Sequence, residues 1–232
     1  MSSLDELKAQ LALACRMLAN EGLFDQSGHI SARHPEGDRL LIHPHPKSRS
    51  EVEPADLIEV DLEGRVLAGD ERPPSELNIH TRIYRARPDV QAICHLHSRM
   101  ATVFSIAGRE LRPVTNYAAF LGNGPVPVYD DPRLVHSTEQ GDALAGALGD
   151  RRACLMRAHG SVVVGAAIRE AFIASVHLEE NALRQYLALQ IGTPVGYTDD
   201  EIRDVAATSG RDRSLQKVWD YYVSRARRSG LL

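Results

Sequence analysis

The sequence predicts an α/β domain built on a mixed, largely antiparallel sheet covered by helices. Three observations carry that expectation. Helical and strand-like segments are interleaved along the chain, with no internal repeat and no low-complexity linker. Several strands are joined by tight turns, which suit antiparallel neighbours and are too short for a parallel crossover. Neither GxGxxG nor GxxxxGK[ST] occurs, so the phosphate loops of the nucleotide-binding parallel folds are missing.

Each element has its own signal. Leu4, Leu7, Leu11, Ala14 and Leu18 recur at helical spacing over residues 4–21, and Gly22 ends that helix. Residues 26–33 read as a glycine turn running into a short strand. Residues 40–42 form a second strand, followed by the loop His43-Pro44-His45-Pro46-Lys47-Ser48. Residues 57–61 alternate like a strand, and Glu63-Gly64 turns the chain into residues 65–67. Pro73-Pro74 breaks the chain, and Ser75 is placed to cap a helix running to about Arg87. Pro88-Asp89 ends that helix, and residues 90–97 form an apolar strand. Helices are expected at 98–107 and 136–148. Strands at 153–156 and 161–164 flank the turn Arg157-Ala158-His159-Gly160. The longest helix spans about 169–190, closed by Gly192, Pro194 and Gly196, and a last helix covers roughly 211–228.

The 232 residues suffice for one large domain, expected over 1–232. A hydrophobic content of 43% against 25% charged residues excludes disordered and collagen-like classes. A net charge of −4 gives no electrostatic reason to expect nucleic acid. Arg225, Arg227 and Arg228 form the clear basic cluster, and at the end of a helix they read as a solvated turn complementing the helix dipole. No apolar run reaches the length of a membrane span. The N-terminus carries acids early and does not look like a signal peptide. Three cysteines without CxxC spacing indicate neither a disulfide framework nor a zinc knuckle, so a cytoplasmic setting is expected.

His95-Leu96-His97 is the most informative stretch. On a strand both imidazoles leave one face, while Cys94 and Leu96 point into a core on the other. Such a pair suits a shared divalent cation, or packing at a wet sheet edge. His159 lies in a tight turn between two core-like strands, rigidly enough for a ligand, or is a turn residue bonded to backbone. Glu76 opens a helix, where an acid is favoured by the dipole in any case, yet three histidines and a glutamate make a sound set for a divalent ion. His80 follows Glu76 by one turn on the same face. His177 reads as packed within the long helix, and His136 as a loop or cap residue. His29, His43 and His45 sit in loops of the kind that contact substrates.

Five stretches in order resemble the class II aldolase/adducin family. They are Ser27-Gly28-His29-Ile30-Ser31-Ala32-Arg33, Pro74-Ser75-Glu76-Leu77-Asn78-Ile79-His80, Tyr84-Arg85-Ala86-Arg87-Pro88-Asp89-Val90, His95-Leu96-His97-Ser98-Arg99 and Leu155-Met156-Arg157-Ala158-His159-Gly160. The resemblance covers roughly residues 5–190. It implies a three-layer α/β/α fold around a mostly antiparallel sheet. It implies a divalent ion on His95, His97 and His159, usually zinc, although the donors also suit manganese, cobalt and iron. It implies a homotetramer with active sites between subunits. Family enzymes include L-fuculose-1-phosphate aldolase and L-ribulose-5-phosphate 4-epimerase. The aldolases carry a glutamate at the position of Glu76, as acid/base and provisional metal ligand, whereas the epimerase carries an aspartate. Tyr117 matches an aldolase tyrosine that donates a proton from a neighbouring subunit.

The chain departs from the sugar-phosphate members where they hold phosphate. His29 replaces an asparagine, His43-Pro44-His45-Pro46 replaces a Thr-Gly loop, and Ser75 alone remains of a serine pair, preceded by Pro74, which has no N–H to offer an anion. Gly28, His29, His45, Lys47 and Ser75 are therefore the candidate substrate contacts, suited to a carboxylate or an aromatic hydroxy acid. Some family members of this type resemble decarboxylases of hydroxylated aromatic or 3-oxo acids. Retro-aldol cleavage and decarboxylation both pass through an enolate that a divalent ion stabilises. Three readings follow. The first is a metal-dependent carbon–carbon lyase for a small unphosphorylated hydroxy- or oxo-acid, with Glu76 moving protons and Tyr117 protonating the carbanion. The second is a sugar-phosphate aldolase or epimerase with a rebuilt phosphate site, and the third a non-catalytic adducin-like module. Tyr197, Tyr221 and Tyr222 either close over the pocket or pack the C-terminal segment.

Overall fold

The computed structural model describes residues 3–209 and 212–231. The first helix, α1 (Leu4–Asn20), starts in a capping box. The Glu6 N–H donates to Ser3 Oγ, and the Ser3 N–H donates back to the Glu6 carboxylate. Its buried stripe is Leu11, Ala14, Cys15 and Leu18, as the spacing requires. Four strands follow, β1 (His29–Arg33), β2 (Arg39–Ile42), β3 (Ile58–Asp61) and β4 (Val66–Ala68), each antiparallel to its predecessor. Gly64, at φ +88°, makes the β3–β4 turn that a side chain would strain.

Helix α2 (Leu77–Ala86) carries the chain back across the sheet to β5 (Ala92–Leu96), which pairs antiparallel with β1. Next come α3 (Arg99–Ile106), a 3-10 turn at Asn116–Leu121, β6 (Val128–Tyr129) and α4 (Thr138–Leu148). The hairpin β7 (Ala153–Met156) and β8 (Gly160–Gly165) leads into α5 (Ile168–Ile191), α6 (Asp199–Ser209) and α7 (Asp212–Arg228). The sheet order is β4-β3-β2-β1-β5-β8-β7-β6. All neighbours are antiparallel except β6 and β7, whose connection through α4 is long enough for a crossover.

Strand alternation divides the core in two. Ile30, Ala32, Leu41, Ala92, Cys94, Leu96, Leu155 and Val163 pack on one face with α1, α3, α5 and α7. Leu40, Ile42, Ile58, Val60, Ile93, Met156, Val162 and Val164 pack on the other with α2 and α4. The result is an α/β/α stack of three layers, as expected. His95 shares the α2 face with Ile93, and its register partner on β1 is His29.

Three expectations need correction. Glu76, not Ser75, is the N-cap of α2, and no side chain caps that end. The Ser75 carbonyl instead accepts from His136 Nδ1 at 3.1 Å, and the Glu76 carboxylate is engaged elsewhere. Helix α6 was not expected, because residues 199–209 are mostly polar with few apolar residues to show a period. β6 was also missed, being two residues long beside Pro127. The expected last helix begins at Arg211, which lies outside the described residues; α7 itself runs from Asp212.

Long-range capping ties α3 to α5. The N–H groups of Met100 and Ala101 donate to the Glu179 carboxylate at 2.8 and 3.0 Å, while the N-cap residue Ser98 gives no side-chain cap. A charged acceptor on two orphan helix donors contributes about 1–2 kcal/mol. Glu179→Ala is expected to lower unfolding free energy by about that amount in urea titration, with secondary structure content retained; an unchanged midpoint would show that water replaces the cap.

Candidate metal centre

Three separate elements deliver the four donors. His95 is the fourth residue of β5 and is fully buried, and His97 follows just past the strand end. His159 comes from the β7–β8 turn, where Ala158 sits at φ +55° and its N–H donates to Ser105 Oγ. The turn is pressed against β5: a Cβ on Gly160 would lie 2.1 Å from the Leu96 carbonyl oxygen. Only glycine permits that approach, and the approach brings the His159 ring to 5.0 Å from His95 and 5.3 Å from His97, centre to centre. Glu76 enters from the first turn of α2.

The donor atoms of Glu76, His95, His97 and His159 all lie within 4.8 Å of one another. The Nε2 atoms of His95 and His97 are 3.1 Å apart. Glu76 Oε2 lies 3.6 Å from His95 Nε2 and 3.5 Å from His159 Nε2. The other oxygen, Oε1, accepts from the Val135 N–H at 2.9 Å, so the carboxylate is anchored by one oxygen and offers the second. Both ring nitrogens of His159 are shielded from water with no hydrogen-bond partner among the described residues. A neutral imidazole has a single lone-pair nitrogen, and leaving it buried and bare is costly unless a ligand takes it; on His159 the nitrogen that faces Glu76 is Nε2. Three imidazoles and a carboxylate converging on one point fit a divalent ion such as zinc.

An aspartate that sequence reasoning did not identify completes the set. His97 Nδ1 lies 3.0 Å from Asp25 Oδ2. Burial alone would raise the Asp25 carboxyl, but the Ser27 N–H and His97 outweigh it and hold it below the usual carboxylate range. An ionised Asp25 can only accept, so His97 carries its proton on Nδ1 and turns a bare Nε2 to the centre. An aspartate just before a glycine turn reads as a turn residue, and nothing local in the sequence marks this role.

Electrostatics keep the ligands ready. Burial, which penalises imidazolium, lowers His95 to about 3 even with Glu76 pulling the other way. Burial would raise Glu76, but contact with His159, the His95 ring and the Val135 N–H together hold it at about 2. At neutral pH the acid is charged and His95 is neutral, the states a cation selects.

The remaining candidates are placed unevenly. His29 is buried with its ring centre 4.7 Å from that of His95. Gly28 supports it: a Cβ there would strike Phe24 Cδ1 at 2.4 Å, and the Gly28 carbonyl accepts from Arg49 Nε at 2.9 Å. Arg49 also donates to the His45 and Lys47 carbonyls, fastening the two loops together. His43 donates from Nδ1 to the Pro44 carbonyl at 3.1 Å, with its ring centre 6.5 Å from that of His29. His45 is half-buried beside Arg72. Lys47 pairs with Asp56 at 2.9 Å and lines a shallow groove with Pro44, Pro46, Asp70 and Glu71, away from the four donors. Ser75 is exposed next to Glu76. Tyr117 is 41% exposed, with its ring 5.1 Å from His177 and the Arg184 guanidinium 5.5 Å above it. It lines a cleft between α5 and α7 with Tyr221, Tyr222 and Arg225, and none of the four donors borders that cleft.

Known proteins resemble the chain over most of its length. Residues 9–186 match the class II aldolase and adducin N-terminal domain family. The chain is 31% identical over 240 residues to a 3,4-dihydroxyphthalate decarboxylase of Rhodococcus jostii, covering 97% of this chain and 98% of that one. It is 33% identical over 180 residues to a 5-deoxy-D-ribulose 1-phosphate aldolase of Bacillus thuringiensis serovar kurstaki, covering 77% and 83%. Among solved structures it is similar to an L-fuculose 1-phosphate aldolase from Glaciozyma antarctica, with a TM-score of 0.84 at 26% identity over 99% of this chain and 94% of that one.

Two outcomes are expected. Purified protein should bind about one divalent ion per chain by elemental analysis, and His95→Ala should lose it. Asp25→Asn should retain the fold but weaken metal affinity about 10- to 100-fold. Folded wild-type protein that takes up no metal on dialysis would remove the centre. The second outcome concerns acid. His43 and His177 are lowered to about 4, and His29 and His80 well below 6.5, all chiefly by burial. Between pH 6.5 and about 4 the unfolded chain therefore binds more protons than the folded one, so stability falls as pH falls. Urea midpoints of the metal-free protein should decline steadily across that window; a flat midpoint would mean that these rings are hydrated or already charged.

Proposed function

The chain belongs to the class II aldolase and adducin family and is a lyase, and on that premise we propose that it cleaves a carbon–carbon bond of a small, unphosphorylated hydroxy- or oxo-acid. Decarboxylation of a hydroxylated aromatic acid is the favoured form. The observation that carries this reading is a four-donor centre whose surroundings offer little to a phosphate. Pro74 has no N–H, Lys47 is held by Asp56, and His29 occupies the position beside His95. The decarboxylase relative aligns over nearly the whole chain, including the segment after residue 186, which adds support.

His95, His97 and His159 would hold the metal, with Glu76 as the fourth donor. A divalent ion there supplies Lewis-acid stabilisation to the charge left by a breaking carbon–carbon bond. In decarboxylation the bond to the carboxyl carbon breaks, its electron pair stays on the substrate as an enolate, and CO2 leaves. A proton then closes the carbon. Glu76 would move protons, a role supported by a carboxylate that Val135 anchors through only one of its oxygens. His29 lines the same site from β1.

Tyr117 stands apart from the donors within one chain and is open to solvent, which supports a role at the site of a neighbouring copy. Exposed Leu183, Tyr186 and Leu187 on α5 support burial of that region in a homotetramer. A sugar-phosphate aldolase is the second reading, favoured by the deoxyribulose-phosphate aldolase relative and by glutamate rather than aspartate at position 76.

The test is turnover by metal-loaded protein of 3,4-dihydroxyphthalate and 3,4-dihydroxybenzoate against L-fuculose 1-phosphate and 5-deoxyribulose 1-phosphate. CO2 release from an unphosphorylated acid is expected, with Glu76→Gln lowering kcat about 10²- to 10⁴-fold. Turnover confined to the phosphorylated sugars would overturn the reading in favour of the second.

A further inference from the structure

Behind the metal centre a buried chain of polar groups crosses from β1 to α2. His29 Nδ1 lies 2.7 Å from His80 Nε2, His80 Nδ1 lies 2.6 Å from Ser31 Oγ, and Ser31 Oγ lies 3.0 Å from the Tyr84 hydroxyl. His29, Ser31, His80 and Tyr84 are each 2% exposed or less. Neither proton sharing nor direction is arbitrary in such a chain, because each contact takes one hydrogen.

The hydrogens can be counted. Ser31 and Tyr84 bring two hydroxyl hydrogens, and one contact between the two hydroxyls can use only one of them. Among the described residues, the remaining acceptor in the chain is His80 Nδ1. Both hydroxyls are therefore satisfied in one arrangement: Tyr84 donates to Ser31, and Ser31 donates to His80 Nδ1. His80 then carries its hydrogen on Nε2 and donates to His29 Nδ1. That leaves the hydrogen of His29 on Nε2. The reverse direction, started by a His29 Nδ1–H, ends with a sealed Tyr84 hydroxyl hydrogen that has no acceptor in the chain.

We propose that Ser31, His80 and Tyr84 are positioning residues that lock His29 as an Nε2–H donor beside the metal centre, aimed at a carboxylate or phenolate oxygen of the substrate. The assignment of the donor's recipient rests on the function proposed above, whereas the locked tautomer does not. A fixed donor discriminates between ligands as a mobile imidazole cannot. It accepts an oxygen anion without first changing its protonation, and it offers no lone pair to a competing hydrogen-bond donor. His80, one turn after Glu76, thereby links the helix that carries the carboxylate to the strand that carries the donor.

The experiment is nitrogen-detected imidazole NMR on zinc-loaded protein, with His29 assigned by loss of its signals in His29→Asn. In the wild type, His29 should show a protonated Nε2 and a bare Nδ1. Tyr84→Phe should keep that tautomer, because Ser31 still donates to His80. Ser31→Ala severs the chain and should give a mixture of the two His29 tautomers, with the amide spectrum confirming the fold. A wild-type Nδ1–H, or a tautomer unmoved in Ser31→Ala, would overturn the lock. Addition of 3,4-dihydroxybenzoate should move the His29 Nε2–H resonance downfield. A resonance that stays put would overturn the substrate half of the proposal. A response to inorganic phosphate instead would leave the lock standing and place the failure in the proposed function.

Discussion

The close contact between the Gly160 backbone and the Leu96 carbonyl is the constraint on which the site depends. β5 and the residue just past its end supply two histidines to one face. The third has to come from a neighbouring turn brought to within a side-chain length. With a Cβ position 2.1 Å from the Leu96 oxygen, there is room at Gly160 for hydrogen and nothing larger. The left-handed Ala158 and the Ser105 hydroxyl that accepts its N–H hold the turn from the other side. The backbone around His159 is thus fixed on both flanks.

The second consequence is a division of labour between the sheet faces. One face is apolar under α1, α3, α5 and α7. The other is apolar at its edges, but along β1 and β5 it carries His29, Ser31 and His95 under His80, Tyr84 and Glu76 of α2. Burying so many polar groups together is expensive unless each is paired. Here most pair with one another or with backbone: Glu76 with Val135, and His29, His80, Ser31 and Tyr84 in series. At the centre, His159 Nε2 has no hydrogen-bond partner among the described residues, although it faces the Glu76 carboxylate.

The layers and the shared face of His95 and His97 were legible because they follow from periods, and the rest of the four-donor cluster was pointed to by the resemblance. Alternation along residues 90–97 put both imidazoles on one face, and the flanks of His159 marked it as held by two buried strands. Periods say which face a residue occupies, but not which strand lies beside it. That β5 pairs with β1 rather than β4 is a tertiary choice, so His29 opposite His95 was not readable, nor was the series of contacts that begins there. Asp25 failed for a related reason: its partner His97 is 72 positions away. Ser75 matched the local pattern of a helix cap, yet the helix starts one residue later with Glu76 as its N-cap, and the Glu76 carboxylate is turned to the Val135 N–H and two imidazoles instead of the helix end. Lys47 was expected among the substrate contacts, and only the fold shows its ammonium turned to Asp56.

The proposed metal binding and substrate recognition both need imidazoles in one defined protonation state, and the structure offers two different physical means of securing it. Around the metal donors, burial makes imidazolium costly, and an ionised Asp25 decides which nitrogen of His97 is bare. Around His29, the deciding groups are hydroxyls, which cannot ionise at neutral pH and so pass on direction without adding charge. A second carboxylate in place of Ser31 would also orient His80, but it would place negative charge beneath the site proposed to receive an anionic acid. Neutral hydroxyls avoid that repulsion while keeping the order of the hydrogens. On the proposed function, acids then stand where a cation would bind, and neutral alcohols stand behind the imidazole proposed to meet the substrate.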